Sequence, residues 1–457
     1  METLESLQDG VHSGRLAGCK SLKLSEQLTH FPVEIFQLAD SLEFLNLSNN
    51  QLSELPPNFS SLKNLRIVFF NNNKFERYPP VLADCPALSM VSFKNNQIHT
   101  ISEQALSPTI RWLILTNNQI DVLPAAIGRL NRLQKLMLAG NRLKTLPEEM
   151  ANCQSLELIR LSVNRLSALP TWLLQLPRLS WLAYSGNPFC LREAIFSPKR
   201  QNLPTFSSDD LEKGHLLGQG ASGLIYEASW SEKAVSKGAA VSTKSMNKSV
   251  ALKIFKGDIT SDGSPLDEMR ACIAAGTHPN LVSVLGKYSA ENTSGLVFDF
   301  ISADYSNLGD PPSLESCTRD VYDEDVSFSL SEVLKIGRGI ASAAAYLHQH
   351  GIMHGDLYAH NILVDQTAHS ILGDFGAASF YGDNLKELSI EKLEVRAFGC
   401  LLEDLLDRCS VPEVSVSQES GSFLRLRLLQ QSCLMRSVDQ RPLFCDVCEE
   451  LTAIDNS

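Results

Sequence analysis

Leu133-Gln-Lys-Leu136-Met-Leu138-Ala-Gly-Asn141-Arg-Leu143 carries the pattern that decides the first half of the chain. The phrase returns as Leu42-x-x-Leu45-x-Leu47-x-x-Asn50-x-Leu52 and as Leu156-x-x-Ile159-x-Leu161-x-x-Asn164-x-Leu166. Its asparagine stands at 50, 73, 96, 118, 141, 164 and 187, always 22 or 23 residues apart. Self-similarity at this period marks a solenoid, in which no single unit can bury its apolar face and each must stack on its neighbours. The leucines are expected to point from a short strand into a shared core. The asparagine side chain turns inward to satisfy backbone groups where the chain leaves the strand, so its role is structural. Leu-Pro pairs often follow, at 55–56, 123–124, 146–147 and 169–170. A degenerate eighth copy is expected around Leu22, Leu24 and Gln27, where a capping repeat belongs.

Function in this half falls to strand residues that point outward. One column across the repeats reads Phe44, Ile67, Met90, Trp112, Lys135, Leu158, Trp181, and the next Asn46, Phe69, Ser92, Ile114, Met137, Arg160, Ala183. These positions are free to be polar, yet many are aromatic or aliphatic, and an exposed apolar stripe marks a binding surface. Phe44, Ile67, Phe69, Met90, Trp112, Ile114, Met137, Leu158, Arg160 and Trp181 are therefore the expected partner-binding residues, for a protein substrate or a regulatory protein. The competing reading is that they lean on one another or are covered by other parts of the chain.

The whole chain has 457 residues, enough for two or three domains. A hydrophobic fraction of 44% with 20% charged residues supplies buried cores and argues against global disorder. Forty Lys and Arg against 52 Asp and Glu give a net charge of −12, which disfavours nucleic acid as a partner. Eleven scattered cysteines do not form a disulfide framework and read as reduced thiols. The start lacks the basic-then-apolar pattern of a secretory signal, and no run of 18 apolar residues occurs. A cytoplasmic protein is the expectation.

The repeat ends near Pro188, so residues 1–190 are expected to form the solenoid, 191–209 a cap and linker, and 210–455 a second domain. Its first motif is Leu217-Gly218-Gln219-Gly220-Ala221-Ser222-Gly223-Leu224-Ile225. Alone, G-x-G-x-x-G is ambiguous, because dinucleotide-binding folds use it between a strand and a helix. Here Leu224-Ile225-Tyr226-Glu227-Ala228 follows and reads as a strand, which predicts a hairpin whose backbone N–H groups can approach phosphates. Val250-Ala251-Leu252-Lys253-Ile254 is a strand bearing one lysine suited to the α- and β-phosphates of a nucleotide. Glu268 is the candidate carboxylate that orients Lys253, with Asp267 its rival. A long amphipathic helix from Leu330 to His348 leads to His354-Gly355-Asp356-Leu357-Tyr358-Ala359-His360-Asn361-Ile362-Leu363, and Gly373-Asp374-Phe375-Gly376 follows. Phosphoryl transfer needs a carboxylate to take the attacking hydroxyl's proton, for which Asp356 fits. It also needs oxygen ligands for Mg²⁺ on the phosphates of ATP, for which Asn361 and Asp374 fit.

With these motifs in this order, residues 210–455 resemble a eukaryotic-type protein kinase of the tyrosine-kinase-like group, and residues 20–190 resemble an intracellular leucine-rich repeat array. Together they resemble the leucine-rich repeat protein kinases, as a cytosolic member. The resemblance implies an α/β leucine-rich repeat solenoid followed by an α+β two-lobed protein-kinase fold, with ATP and Mg²⁺ as cofactors. It implies transfer of the ATP γ-phosphate to a protein Ser or Thr, less often Tyr. It also puts Phe298 at the gatekeeper position and Asp299-Phe300-Ile301 at the adenine-contacting hinge. Leu217, Ile225, Ala251 and Leu363 would sandwich the adenine, and Arg441 matches the late structural arginine of that fold.

Some positions depart from the family pattern. Gly355 replaces the usual catalytic-loop arginine, so activation should not require a phosphate on the activation segment. Tyr358 stands where serine/threonine kinases keep a lysine beside the γ-phosphate. The segment after Asp374 is short and lacks Ala-Pro-Glu, which leaves Arg441 without its usual Glu; Glu391 or Glu394 could substitute. Weak or unusual peptide recognition is the consequence. Inserts at 231–249 (net +3) and 302–327 (net −6) are expected to be mobile solvated loops, the acidic one able to attract basic substrate or the basic insert. Cys445 and Cys448 fall on the expected last helix without a second ligand pair, so zinc is not expected. Two alternatives to an active protein kinase stand: a pseudokinase scaffold that reads partners through the repeats, and a small-molecule kinase, since His-Gly-Asp-Leu-x-x-x-Asn also occurs in enzymes acting on sugars, choline or aminoglycosides.

Overall fold

Leu45, Leu47 and Leu52 are fully buried, as are their counterparts in successive repeats. That inward-facing ladder organises the first half of the computed structural model, which describes residues 3–190, 203–220, 222–231, 247–257, 259–290, 293–382, 390–410 and 418–456. Eight three-residue strands pair in parallel and in sequence order: β1 (Ser21–Lys23), β2 (Phe44–Asn46), β3 (Ile67–Phe69), β4 (Met90–Ser92), β5 (Trp112–Ile114), β6 (Lys135–Met137), β7 (Leu158–Arg160) and β8 (Trp181–Ala183). The register puts Phe44, Ile67, Met90, Trp112, Lys135, Leu158 and Trp181 in one row, and Asn46 through Ala183 in the second. The degenerate first copy supplies β1, with Leu22 and Leu24 buried. Ahead of it lies α1 (Leu4–His12), capped by Thr3.

Each repeat asparagine acts as a bracket between turns. Asn50 accepts from the N–H groups of Glu26 and Leu28 (3.0 and 2.9 Å) and donates to the carbonyls of Leu24 and Leu47 (3.0 and 2.9 Å). Such buried backbone groups would otherwise remain unsatisfied, at about 1–3 kcal/mol each. The connections opposite the strands are mostly 3₁₀ turns, such as Val33–Leu38, Ala125–Arg129 and Glu148–Asn152, rather than α-helices. Their entry residues are Pro32, Pro124 and Pro147, each extended, and a 23-residue period leaves room only for a short tight turn. A second asparagine column escaped the sequence reading. Asn49, Asn72, Asn95 and Asn117 sit at φ of 54–61°, and their amides form a chain of hydrogen bonds of 2.6–2.9 Å from repeat to repeat.

The outward rows correct the expected partner surface. Phe44, Ile67, Phe69, Trp112 and Ile114 are partly accessible, whereas Met90, Met137, Leu158, Arg160 and Trp181 are buried. Large neighbours shield one another: Phe44 packs edge-on against Phe69 at 5.4 Å, and the Lys135 ammonium sits 4.2 Å over the Trp112 ring. The compact unit formed by Met1–Phe189 also takes in Leu314–Thr318 and Arg436–Val438. Within that unit the buried Thr318 hydroxyl donates to Glu157, next to Leu158, so chain from outside the repeats covers this stretch.

The second unit is built on a six-stranded sheet in the order β10-β11-β12-β14-β13-β9. Its strands are β9 (Thr205–Phe206), β10 (Leu211–Gln219), β11 (Gly223–Ser231), β12 (Asn247–Phe255), β13 (Val284–Ala290) and β14 (Thr293–Asp299). All pairings are antiparallel except β9 on β13. Phe206, Leu211, Ala228, Val250, Leu252 and Val297 form the core on one face. Helix α3 (Pro265–Ala275; α2 is the short Thr171–Leu174 turn of the last repeats) follows β12, started by Ser264 and Pro265. A helical lobe comes next: α4 (Leu330–Gln349), α5 (Glu391–Asp407), α6 (Gln418–Cys433) and α7 (Phe444–Asp455). Small sheets lie at its edge: β15 (Ser306–Asn307), β17 (Ile362–Val364) and β18 (Ser370–Leu372) in one, and β16 (Ile352–Met353) with β19 (Ser379–Phe380) in the other. Among the described residues no helix is long and apolar enough to cross a membrane.

Candidate active site

The glycine-rich stretch is a hairpin. Gly218 pairs with Ile225 and Gln219 with Leu224 across β10 and β11, and the Gly220 N–H donates to the Gly223 carbonyl at 3.0 Å. A strand, not a helix, follows the glycines, which removes the dinucleotide-fold alternative. Gly223 is required by close approach, since a Cβ there would run into the Ile254 carbonyl of β12. Gly218 and Gly220 face open space, where a phosphate can approach the backbone. Ala221 lies outside the described residues.

Beneath the hairpin is a cleft of about 610 Å³. Its wall contains Leu217, Gly220, Ser222, Ile225, Ala251, Lys253, Phe298, Asp299, Phe300, Ile301, Leu363, Asn361 and Asp374, all singled out by sequence. Gly218, Gln219, Gly223 and the expected base Asp356 are off the wall. Thr260, Asp262, Val282, Tyr305, Asn307 and His360 are on it and were not anticipated.

Alternation along β12 buries Leu252 in the sheet core and turns Lys253 toward the cleft. There its ammonium donates to Glu268 of α3, with side chains 12% and 2% exposed. Burial works against the lysine's proton, but the Glu268 and Asp374 carboxylates more than offset this, and Lys253 is held charged. The rival Asp267 pairs instead with Arg270 at 2.9 Å.

The catalytic loop leaves β16 at His354. His354 Nε2 hydrogen-bonds the Gly373 carbonyl at 2.8 Å, and its ring packs 5.1 Å from the buried Phe375 ring. Gly355 has φ +75°, a backbone state glycine adopts without strain. The Asn361 amide donates to Asp356 twice, to its carbonyl at 2.9 Å and to Oδ2 at 2.8 Å. Asp374 is also left-handed, φ +51°, and accepts from the Gly376 N–H at 3.1 Å. With the Asn361 NH₂ committed to Asp356, its carbonyl oxygen and the Asp374 carboxylate remain as hard oxygen donors. These suit Mg²⁺, which takes few protein ligands and fills its shell with phosphate and water. Tyr358 is buried, its ring 5.0 Å from that of His360, and places no cation beside these groups.

Glu394 corrects a sequence expectation. It lies in the first turn of α5, fully buried, accepting from the His354 N–H (3.1 Å), the Gly355 N–H (2.6 Å) and His348 Nε2 (2.8 Å). Burial alone would push its carboxyl up; the His348 hydrogen bond, the nearby histidines and the Gly355 N–H bring it below the usual glutamate range. Glu394 is thus committed to the catalytic loop, and Glu391 accepts from the Phe444 N–H at 2.6 Å. Neither substitutes as the partner of Arg441, which donates to the carbonyls of Met435 and Lys392 (2.8 and 3.1 Å).

The acidic insert is largely exposed, as expected of a solvated loop, but its stretch around Arg319 and Asp320 is anchored. Arg319 forks onto α5, 2.6 Å from Glu403, 2.5 Å from Asp404 and 3.0 Å from the Cys400 carbonyl. Asp320 then reaches the Ala359 N–H and His360 Nδ1, both at 2.6 Å. Burial opposes a proton on His360, yet its bond to Asp320 and the carboxylates of Asp356, Asp320 and Asp374 raise its pKa. Of the basic insert, only Lys248 has a described side chain with a charge; it pairs with Asp299 at 2.9 Å, while Lys233, Lys237 and Lys244 lie outside the described residues.

Residues 211–405 match the family of protein tyrosine and serine/threonine kinases. Residues 108–166 and 131–189 match leucine-rich repeats, and residues 40–78 match a two-copy leucine-rich repeat unit. A probable serine/threonine-protein kinase, gdt4, of Dictyostelium discoideum is 28% identical over 173 residues, which cover 37% of this chain and 9% of that protein. Fibroblast growth factor receptor 1 of Pleurodeles waltl is 25% identical over 213 residues, 45% of this chain and 25% of the receptor. The serine/threonine-protein kinase PITSLRE of Drosophila melanogaster is 28% identical over 185 residues, 40% of this chain and 17% of that kinase. The matched stretch spans a third or less of the length of these relatives.

Proposed function

This chain joins leucine-rich repeats to a protein kinase domain, and on that premise we propose that it is an ATP-dependent protein kinase whose repeats recruit a protein substrate or regulator, acting in the cytoplasm. The observation that carries the reading is the convergence on one cleft of the Lys253–Glu268 pair with Asn361 and Asp374, and of Asp356 through its bond with Asn361. Lys253, fixed by Glu268, would hold the α- and β-phosphates of ATP. Asn361 and Asp374 would hold Mg²⁺, whose charge would offset that of the phosphates. Asp356 would accept the proton of the attacking hydroxyl, its carboxylate oriented by the Asn361 amide. Serine or threonine is the favoured acceptor. Recruitment would use the accessible part of the outward rows, Phe44, Ile67, Phe69, Trp112 and Ile114.

The test is MgATP turnover by the full chain beside Asp356→Asn and Lys253→Met. Phosphate transfer to protein hydroxyls that both variants abolish supports the kinase. The buried Tyr358 in place of a cation favours a second reading, a nucleotide-binding scaffold; nucleotide binding by the wild type with no transfer to any protein would establish that instead.

A further inference from the structure

We propose that Asp320, carried on the acidic insert between Ile301 and α4, is a positioning residue for the catalytic loop, an inference that rests on the kinase reading above. The Asp320 side chain is 4% exposed, and both of its oxygens are used. Oδ2 accepts from the Ala359 N–H at 2.6 Å, and Oδ1 accepts a hydrogen bond from His360 Nδ1 at 2.6 Å. Ala359–Asn361 is a single 3₁₀ turn, and the side chain of the preceding Tyr358 does not cap it. Asp320 supplies that missing acceptor from about 40 residues away in sequence. Asn361 closes the same turn, and its amide holds both the carbonyl and the carboxylate of Asp356. Fixing the turn therefore fixes the amide that aims the base.

The insert is built rigidly enough to do this. Arg319, adjacent to Asp320, is clamped to Glu403 and Asp404 of α5. On the other side Val321 and Asp310 exchange backbone hydrogen bonds of 2.7 and 3.0 Å. The Tyr322 ring lies 4.0 Å from the Arg408 guanidinium. Gly309 lets this strap close down, since a Cβ there would stand 3.0 Å from Tyr322 and 3.1 Å from Ala359. Displacing a group held this way by about 1 Å is worth up to about 100-fold in rate.

The experiment compares full-length wild type, Asp320→Ala and Asp320→Asn by kinetics and by amide hydrogen exchange across residues 354–363. Asparagine keeps an oxygen for the Ala359 N–H and a polar partner for His360. The expected result for Asp320→Ala is a kcat at least about tenfold lower, KM for ATP within about twofold, and faster exchange at 358–361, with Asp320→Asn recovering most of the kcat. Unchanged exchange at 358–361 in Asp320→Ala, or a kcat loss that only follows a lost folded fraction, would overturn the proposal. If the wild type transfers no phosphate, the kinase reading fails on its own. Exchange at 358–361 then still decides whether Asp320 holds the loop.

Discussion

The two halves of this molecule solve the problem of unsatisfied backbone in opposite ways. The repeat array uses one device seven times: an asparagine whose amide brackets successive turns, each copy interchangeable with the next. The kinase domain uses each device once. Glu394, Asn361 and Asp320 each hold a different piece of one loop, and no copy stands in reserve. Redundancy makes the array tolerant locally and readable by period. Uniqueness makes the second unit sensitive at single residues and readable only through motifs.

Four substitutions test that contrast. Asp356→Asn should lower transfer by about 1,000-fold, since it removes a proton acceptor, with little change in melting temperature; the check is single-turnover kinetics beside calorimetry. Glu394→Gln should cost about 3 kcal/mol, because an amide NH₂ would then face donors that the carboxylate now accepts. Its pH signature is directional. The folded-state pKa of Glu394 lies below the unfolded value, so its contribution is present at neutral pH and is lost as pH falls below the ordinary glutamate value near 4.5. Denaturant midpoints of the wild type from pH 6 to 3 should fall more steeply than those of the variant. Asn118→Ala removes a side chain that accepts from the Ile98 N–H and donates to the Phe93 and Leu115 carbonyls, and should destabilise the array by about 2 kcal/mol. Proteolysis of the array would report it, with nucleotide binding intact; a loss of nucleotide affinity would break the comparison. Val163→Gly is the smallest effect. Val163 sits at φ +54°, where a β-branched residue is strained, and neighbouring copies use Gly140 and Gly186. A stabilisation of about 1 kcal/mol is expected in thermal melts.

The sequence made the solenoid legible because the leucine and asparagine positions are fixed by a repeating geometry, down to the two outward rows and their register. It did not say which members of those rows stay accessible, because that depends on what else covers them. Leu158 and Trp181 look like a binding stripe in sequence and are buried in the fold. The second asparagine column was visible as Asn-Asn doublets at 49–50, 72–73, 95–96 and 117–118, with Gly at 140 and 186, a signature of left-handed backbone. In the kinase domain the Lys253, Glu268, Asn361 and Asp374 cleft followed from motifs whose spacing encodes strand, helix and loop. Asp320 did not, because its partners are brought to it only by tertiary folding. Its one trace is Arg319, the single basic residue in a stretch of seven acids. Glu391 and Glu394 both look like stand-ins for the glutamate partner of Arg441 in sequence, because nearness along the chain to the missing Ala-Pro-Glu is not nearness in space.

Gly355 offers a last consequence. Left-handed geometry at that point would strain an arginine by about 1–2 kcal/mol, and glycine meets it at ease while Glu394 grips its N–H. The loop therefore has no guanidinium at 355 to receive an incoming phosphate, and its left-handed turn is held by the Glu394 carboxylate. For the kinase proposed above, an activating phosphate then finds no receiver at this position, so transfer should need no prior phosphorylation of the segment after Asp374.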